Sequence, residues 1–155
     1  MSGILLHVNG EARKITADPS TPLLFVLRNE LGLIGAKLGC GLEQCGSCAV
    51  LVDGVPQLSC VAPASQFEGK KIETVEGLSD DTGPGQVQRA FIEEAAAQCG
   101  YCTPGLVVAV EALRRRKDMP DGRAIAEALS VHLCRCGTHA AVLRAVDRVL
   151  RERRD

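Results

Sequence analysis

The sequence has no tryptophan, one tyrosine and three phenylalanines in 155 residues, too few rings for the base-stacking platform of a single-strand binder. It lacks a charge bias as well. Lysine and arginine number 18 against 19 aspartates and glutamates, so the basic footprint that draws a chain to nucleic acid is missing. No apolar run approaches the roughly 18 residues of a membrane span. Ile4 to Val8 followed by Asn9-Gly10 supplies neither the basic region, the apolar core nor the small-residue cleavage site of a secretory signal. The expectation is a chain without nucleic-acid partner, transmembrane segment or export address. That places it in the cytoplasm, or at the membrane or in the periplasm if a partner carries the signal. A chain of this length forms one ordinary domain or two small ones with thin cores, which calls for something besides packing.

What is plentiful is cysteine. Eight cysteines in a chain without a secretory signal read as metal ligands rather than disulfides. They form two quartets, Cys40, Cys45, Cys48 and Cys60, then Cys99, Cys102, Cys134 and Cys136, separated by 38 cysteine-free residues.

The texture also changes along the chain. Ile4 to Val8, the turn Asn9-Gly10 and Arg13 to Ala17 read as a hairpin, as do Ala49 to Val52, Asp53-Gly54 and Val55 to Ser59. Lys71 to Val75 is a further short strand, and Thr21-Pro22 reads as the N-cap and first residue of a helix ending before Gly32. Gly77 to Gln86 has linker composition. Beyond it, Val87 to Gln98, Pro104 to Lys117, Gly122 to Leu133 and His139 to Arg153 carry helical periodicity with short breaks, the pattern of an up-down-up-down bundle. The apolar faces of Val107, Val108, Val110 and Leu113, and of Val142, Leu143, Val146 and Leu150, are its expected core. The domain expectation is 1–77, a linker at 78–86, and 87–155.

Cys40-x4-Cys45-x2-Cys48 has the spacing of the plant-type ferredoxin loop, whose thiolates bind a [2Fe-2S] cluster with a fourth, more distant cysteine. Gly39, Gly41 and Gly46 interleave the ligands, which suits a backbone that wraps closely and aims N–H groups at sulfur. A hairpin turning at Asp53-Gly54 sets positions summing to about 107 or 108 opposite one another, which returns Cys60 to Cys48. In the second quartet, the first and third turns of an up-down-up-down bundle lie at one end, so Cys99, Cys102, Cys134 and Cys136 converge there. Thr103 and Thr138 read as N-caps, which would start two helices beside the thiolates. Four thiolates also bind zinc, and two structural zinc sites are the alternative.

The stretches GCGLEQCGSC at 39–48, QCGYCTPG at 98–105 and LCRCG at 133–137 resemble the small iron–sulfur subunit of the molybdenum hydroxylases, the xanthine oxidase family, over nearly the whole chain. The resemblance implies an α+β chain: an N-terminal β-grasp ferredoxin-like domain and a C-terminal four-helix bundle, each with one [2Fe-2S] cluster. It further implies a large partner subunit holding a molybdenum–pterin cofactor, in its cytosine dinucleotide form, approached by Gln98 and the Cys136 segment. Electrons would pass singly from that site to a subunit carrying FAD or haem c. Many relatives read C-R-C-T-G where this chain has Cys134-Arg135-Cys136-Gly137-Thr138, and the reversed order resembles the branch oxidising N-heteroaromatics or aldehydes. A carbon monoxide dehydrogenase small subunit is the alternative within the family. Glu43, Gln44 and Ser47 also depart from commoner family residues and leave the ligand spacing intact.

No nucleophile–base pair, phosphate loop or carboxylate pair carries a catalytic motif, so no substrate chemistry is expected on this chain. A Rieske centre needs His beside Cys, and no Cys-x-His occurs, so His7, His132 and His139 read as ordinary. Arg114, Arg115, Arg116 and Lys117 read as a solvated helix end, which a dipole favours. Arg135, between two ligands, either tunes a cluster by its charge or binds a helix-end carbonyl.

Overall fold

The computed structural model describes residues 3–153. Asn9 (φ 51°) with Gly10 (φ 83°), and Asp53 (φ 50°) with Gly54 (φ 81°), both take the two positive φ values of a two-residue hairpin turn. They join β1 (Ile4–Val8) to β2 (Glu11–Ile15) and β3 (Ala49–Val52) to β4 (Val55–Leu58). With β5 (Lys71–Glu73) these make a sheet in the order β2-β1-β5-β3-β4, parallel only between β1 and β5. Ile4, Leu6 and Val8 alternate inward along β1, as a sheet with one buried face requires. They meet Leu23, Leu24, Val26 and Leu27 of α1 (Leu23–Phe25, continued by a π-helical turn Val26–Glu30) in the first core.

The start of α1 corrects the expected Thr21 cap. Pro22 is extended (ψ 140°) and pairs with Pro63. The orphan N–H groups of Leu23 and Leu24 instead donate to the Ala62 and Ser59 carbonyls, each at 2.9 Å. Two backbone bonds thus anchor the segment that carries Cys60.

Four helices follow: α2 (Gln86–Glu93), α3 (Thr103–Arg114), α4 (Gly122–Ser130) and α5 (His139–Glu152). α3 is apolar nearly all round because it is covered on two sides. Val108 packs against Ala49 and Leu51 of β3, which is why β3 is buried at every position, while Leu106, Val107 and Val110 join Val142, Val146 and Leu150 in the second core. α4 contributes no fully buried residue, and Leu143 of α5, an expected core position, is exposed.

Two helices stop short of their apolar periodicity. α2 ends where Ala95 turns left-handed (φ 49°), with Ala96 N–H donating to Phe91 O and Ala95 N–H to Ile92 O, a Schellman cap made with alanine. This frees 95–98 to lead into Cys99. α4 ends at Ser130 because Leu133 N–H is taken by the Cys45 carbonyl, 3.0 Å away.

Three of the four expected solvated cations at the end of α3 are paired. Buried Glu111 accepts from Arg114 and Arg115, and Arg115 reaches on to Glu73 of β5 at 2.6 Å, clamping helix to sheet. Arg116 pairs with Asp118 at 2.7 Å. On the far side Glu94 accepts from Arg144 and Arg148 of α5.

Burial works to raise the Glu111 carboxyl, but the Arg114 and Arg115 guanidiniums outweigh it and hold the group below its ordinary value of 4.5. A carboxyl with a lowered folded pKa contributes its stability above the ordinary value and loses it as pH falls through the folded one. Replacing Glu111 with Ala is expected to cost about 2–3 kcal/mol, less than a fully buried pair because both guanidiniums reach solvent. Arg116→Ala is expected to cost under about 0.5 kcal/mol. Urea unfolding at pH 7 and pH 4 tests both, the Glu111→Ala penalty shrinking at the lower pH.

Candidate metal centres

In the first loop the backbone donates to sulfur. Leu42 N–H (3.3 Å) and Gln44 N–H (3.2 Å) reach Cys40 Sγ, Cys40 N–H reaches Cys45 Sγ at 3.3 Å, and Ser59 N–H reaches Cys48 Sγ at 3.3 Å. Gly41, Glu43 and Gly46 hold the positive φ values (64°, 56° and 77°) that turn these groups inward. Gly39 is glycine because a Cβ there would stand 2.5 Å from Cys45 Sγ. The hairpin register pairs positions summing to 107, so Cys60 falls one residue past the partner of Cys48. The Ser59 hydroxyl on the Cys48 carbonyl (2.6 Å) secures that end.

The sulfurs stand as two pairs, Cys40 beside Cys45 and Cys48 beside Cys60. The second quartet has the same plan, with Cys99 against Cys136 and Cys102 against Cys134. Among the described residues no three His, Cys, Asp or Glu side chains close on the space of a single ion. Two sulfur pairs, each with backbone donors, are the donor set a [2Fe-2S] group takes, one pair to each iron. The residues fit that group.

Two helices do begin at the second quartet, though not as their threonines suggested. Cys102, not Thr103, is the N-cap of α3, and the Thr103 hydroxyl is buried without a partner. Thr138 is the N-cap of α5, but its hydroxyl lies 3.2 Å from Cys134 Sγ instead of capping the helix. Gly100 (φ 79°) and Gly137 (φ 77°) make the turns. Gln98, Cys99, Arg135 and Cys136 are exposed.

The two quartets adjoin. Besides the Leu133–Cys45 bond, the Tyr101 hydroxyl donates to the Leu38 carbonyl. Gly46 and Gly105 touch so closely that a Cβ on Gly105 would meet the Gly46 carbonyl oxygen at 2.2 Å. Sequence reasoning missed Gly105, Tyr101 and the Thr138–Cys134 contact. Only Gly105 left a signal, a glycine inside a helical pattern.

The thiols differ in acidity. Gln44 and Leu42 N–H groups bring Cys40 down to about 7, whereas burial pushes Cys60 up to about 11 and Cys102 up to about 12. At Cys134 burial works upward, but the Thr138 hydroxyl and N–H and the Cys102 thiol prevail and bring it to about 6.

Residues 6–78 match a family described as a 2Fe-2S iron-sulfur cluster binding domain, and residues 74–147 one described as a [2Fe-2S] binding domain. The chain is 50% identical to one of the subunits of nicotinate dehydrogenase from Pseudomonas putida, over 97% of this chain and 96% of that one. Quinoline 2-oxidoreductase from Pseudomonas putida 86 contains a chain that superposes with TM-score 0.88 at 37% identity, covering 98% of this chain and 95% of that one. The aldehyde oxidoreductase of Desulfovibrio desulfuricans superposes at TM-score 0.91 and 34% identity over 99% of this chain, which corresponds to 17% of that longer chain.

Because the thiolate is the reactive form, alkylation of the metal-free chain at neutral pH is expected to modify Cys134 and Cys40 first, and Cys60 and Cys102 last. Thr138→Val removes a donor to the Cys134 thiolate and is expected to slow Cys134 while leaving Cys40 unchanged. Time-resolved peptide mass spectrometry reads both, and equal rates at all four sites would contradict the assignment.

Proposed function

The chain belongs to the iron–sulfur small subunits of the molybdenum hydroxylase family, the xanthine oxidase family of oxidoreductase complexes, and on that premise we propose that it relays electrons between two partner proteins through two [2Fe-2S] centres. Cys40, Cys45, Cys48 and Cys60 hold the first, with Gly39, Gly41 and Gly46 shaping its loop, and Cys99, Cys102, Cys134 and Cys136 hold the second. When bound, each cluster supplies one-electron acceptance and release. The chain's own residues place N–H donors on the sulfurs, keep the buried sulfurs from water, and join the centres by the single backbone hydrogen bond between Cys45 and Leu133. That bond is the observation that carries the reading, because it links a residue of one quartet to the neighbour of Cys134 in the other.

The second centre faces the large subunit. Gln98 and Cys136 are exposed there, ringed by Tyr101, Val131 and Leu133, themselves about half exposed, and an apolar rim of this kind marks a protein interface. Gln98 and the Cys136 segment approach the molybdenum–pterin, in its cytosine dinucleotide form, that the large subunit holds. The first centre, with Cys40 exposed, passes electrons to a flavin or cytochrome c subunit. The division into a ferredoxin-like domain at 1–77, a linker at 78–86 and a four-helix bundle at 87–155 follows the two cores and the two quartets. The complex oxidises an N-heteroaromatic, a reading supported by the high identity to the nicotinate dehydrogenase chain over the length of both. Eight free thiols suit the reducing cytoplasm.

The test is quantitative EPR with iron and sulfide analysis on the anaerobically purified, dithionite-reduced chain. Two spin-half signals, about one spin each, and about four irons per chain are expected. Bound zinc without iron in both quartets, from cells able to build clusters, overturns the relay. In the intact complex a pyridine carboxylate is expected to reduce both centres and so bring up both signals, and reduction by aldehydes alone would overturn the substrate class.

A further inference from the structure

His132 stands where the two thiol loops meet, two residues before Cys134. It is 4% exposed, and its buried Nδ1 makes no hydrogen bond of good geometry. That nitrogen faces the two glycines: a Cβ on Gly46 would stand 2.4 Å from it, and a Cβ on Gly105 3.1 Å from it. The ring therefore fills a slot that exists only because both positions lack a side chain. The backbone is pinned on either side of it, His132 N–H on the Leu129 carbonyl and Leu133 N–H on the Cys45 carbonyl, both at 3.0 Å. The residue also lines an apolar groove with Leu58, Ala109 and Val131. The Gly46 backbone lies against the imidazole as a polar neighbour, so the ring is tied to the loop of the first quartet and does more than fill space.

We propose that His132 is a positioning residue whose ring, wedged against Gly46 and Gly105, holds the Cys45 carbonyl on the Leu133 amide and so sets the electronic coupling between the two thiol quartets. The proposal rests on the two-centre relay above. The step concerned is a one-electron exchange: one centre is oxidised as the other is reduced, no bond is made or broken, and no proton moves. Its rate falls steeply with every widening of a gap between bonded segments. The Cys45–Leu133 contact is such a gap, and His132 is the side chain packed against its Gly46 side.

The full-length chain tests this with His132→Ala, the milder His132→Asn, and Val149→Ala as a control in the core of α5, away from the junction. In the metal-free proteins, amide exchange at Leu133 is expected to quicken about tenfold in H132A and to remain as in the parent in V149A. In anaerobically loaded protein, H132A and H132N are expected to keep both EPR signals and their midpoint potentials, to lose splitting between the two reduced centres, and to equilibrate an injected electron several-fold more slowly. Unchanged exchange at Leu133 in H132A overturns the proposal, as does unchanged splitting and rate in whichever variant loads iron. A parent chain that binds no iron overturns the relay instead, a different outcome from a parent with two signals and an indifferent His132.

Discussion

One backbone hydrogen bond, Leu133 N–H to the Cys45 carbonyl at 3.0 Å, constrains the surrounding architecture. For two main chains to come so close, neither neighbour can carry a side chain into the gap, and Gly46 and Gly105 do not. Residue 133 must leave its helix to offer a free N–H, and α4 ends at Ser130. α3 must lie along the contact, and two contacts hold it to the sheet: Val108 against Ala49 and Leu51 of β3, and Glu111 through Arg115 to Glu73 of β5. Helix, sheet and loop therefore form one packed unit around the junction of the two quartets.

Both quartets solve the same problem, surrounding negative sulfur with polar donors of the chain itself. The first uses a nest of N–H groups in a loop of positive-φ residues, and the second uses helix starts at Cys102 and Thr138. Donor-rich thiols are drawn down in both, Cys40 in the first and Cys134 and Cys99 in the second, and each contains one buried thiol pushed up, Cys60 or Cys102.

The hairpins and the loop of the first quartet were legible because their signals are local. Asn9-Gly10 and Asp53-Gly54 dictate turn type, and with it a register that brings Cys60 to Cys48. The starts of α4 at Gly122 and α5 at His139 were legible too, but other helix ends were not, because distant carbonyls decide them. Thr21 has the sequence of a cap, but Ser59 and Ala62 take that role from across the first core. Ala95 continues an alanine-rich period in sequence yet turns left-handed in the fold, and Arg114 to Arg116 read as solvated until Glu73, Glu111 and Asp118 are brought beside them. His132 is the sharpest case. Its sequence context is that of any core histidine, and only the two glycines folded against it reveal the slot.

Glu43 and Ala95 show where the fold accepts strain. A non-glycine residue in the left-handed region costs about 1 kcal/mol or more, and outside the two hairpin turns the described residues place it at these two positions only. Each lies on the approach to a thiol: Glu43 between Cys40 and Cys45, with its N–H turned to Cys60 Sγ, and Ala95 four residues before Cys99. Such conformations persist only when their surroundings over-determine them. At Glu43 those surroundings are the hairpin that delivers Cys60 and the α1 contacts that anchor Ser59 and Ala62. Loop, hairpin and helix start therefore stabilise one another, and the first thiol site is bound to the completion of the sheet rather than to its own ten residues.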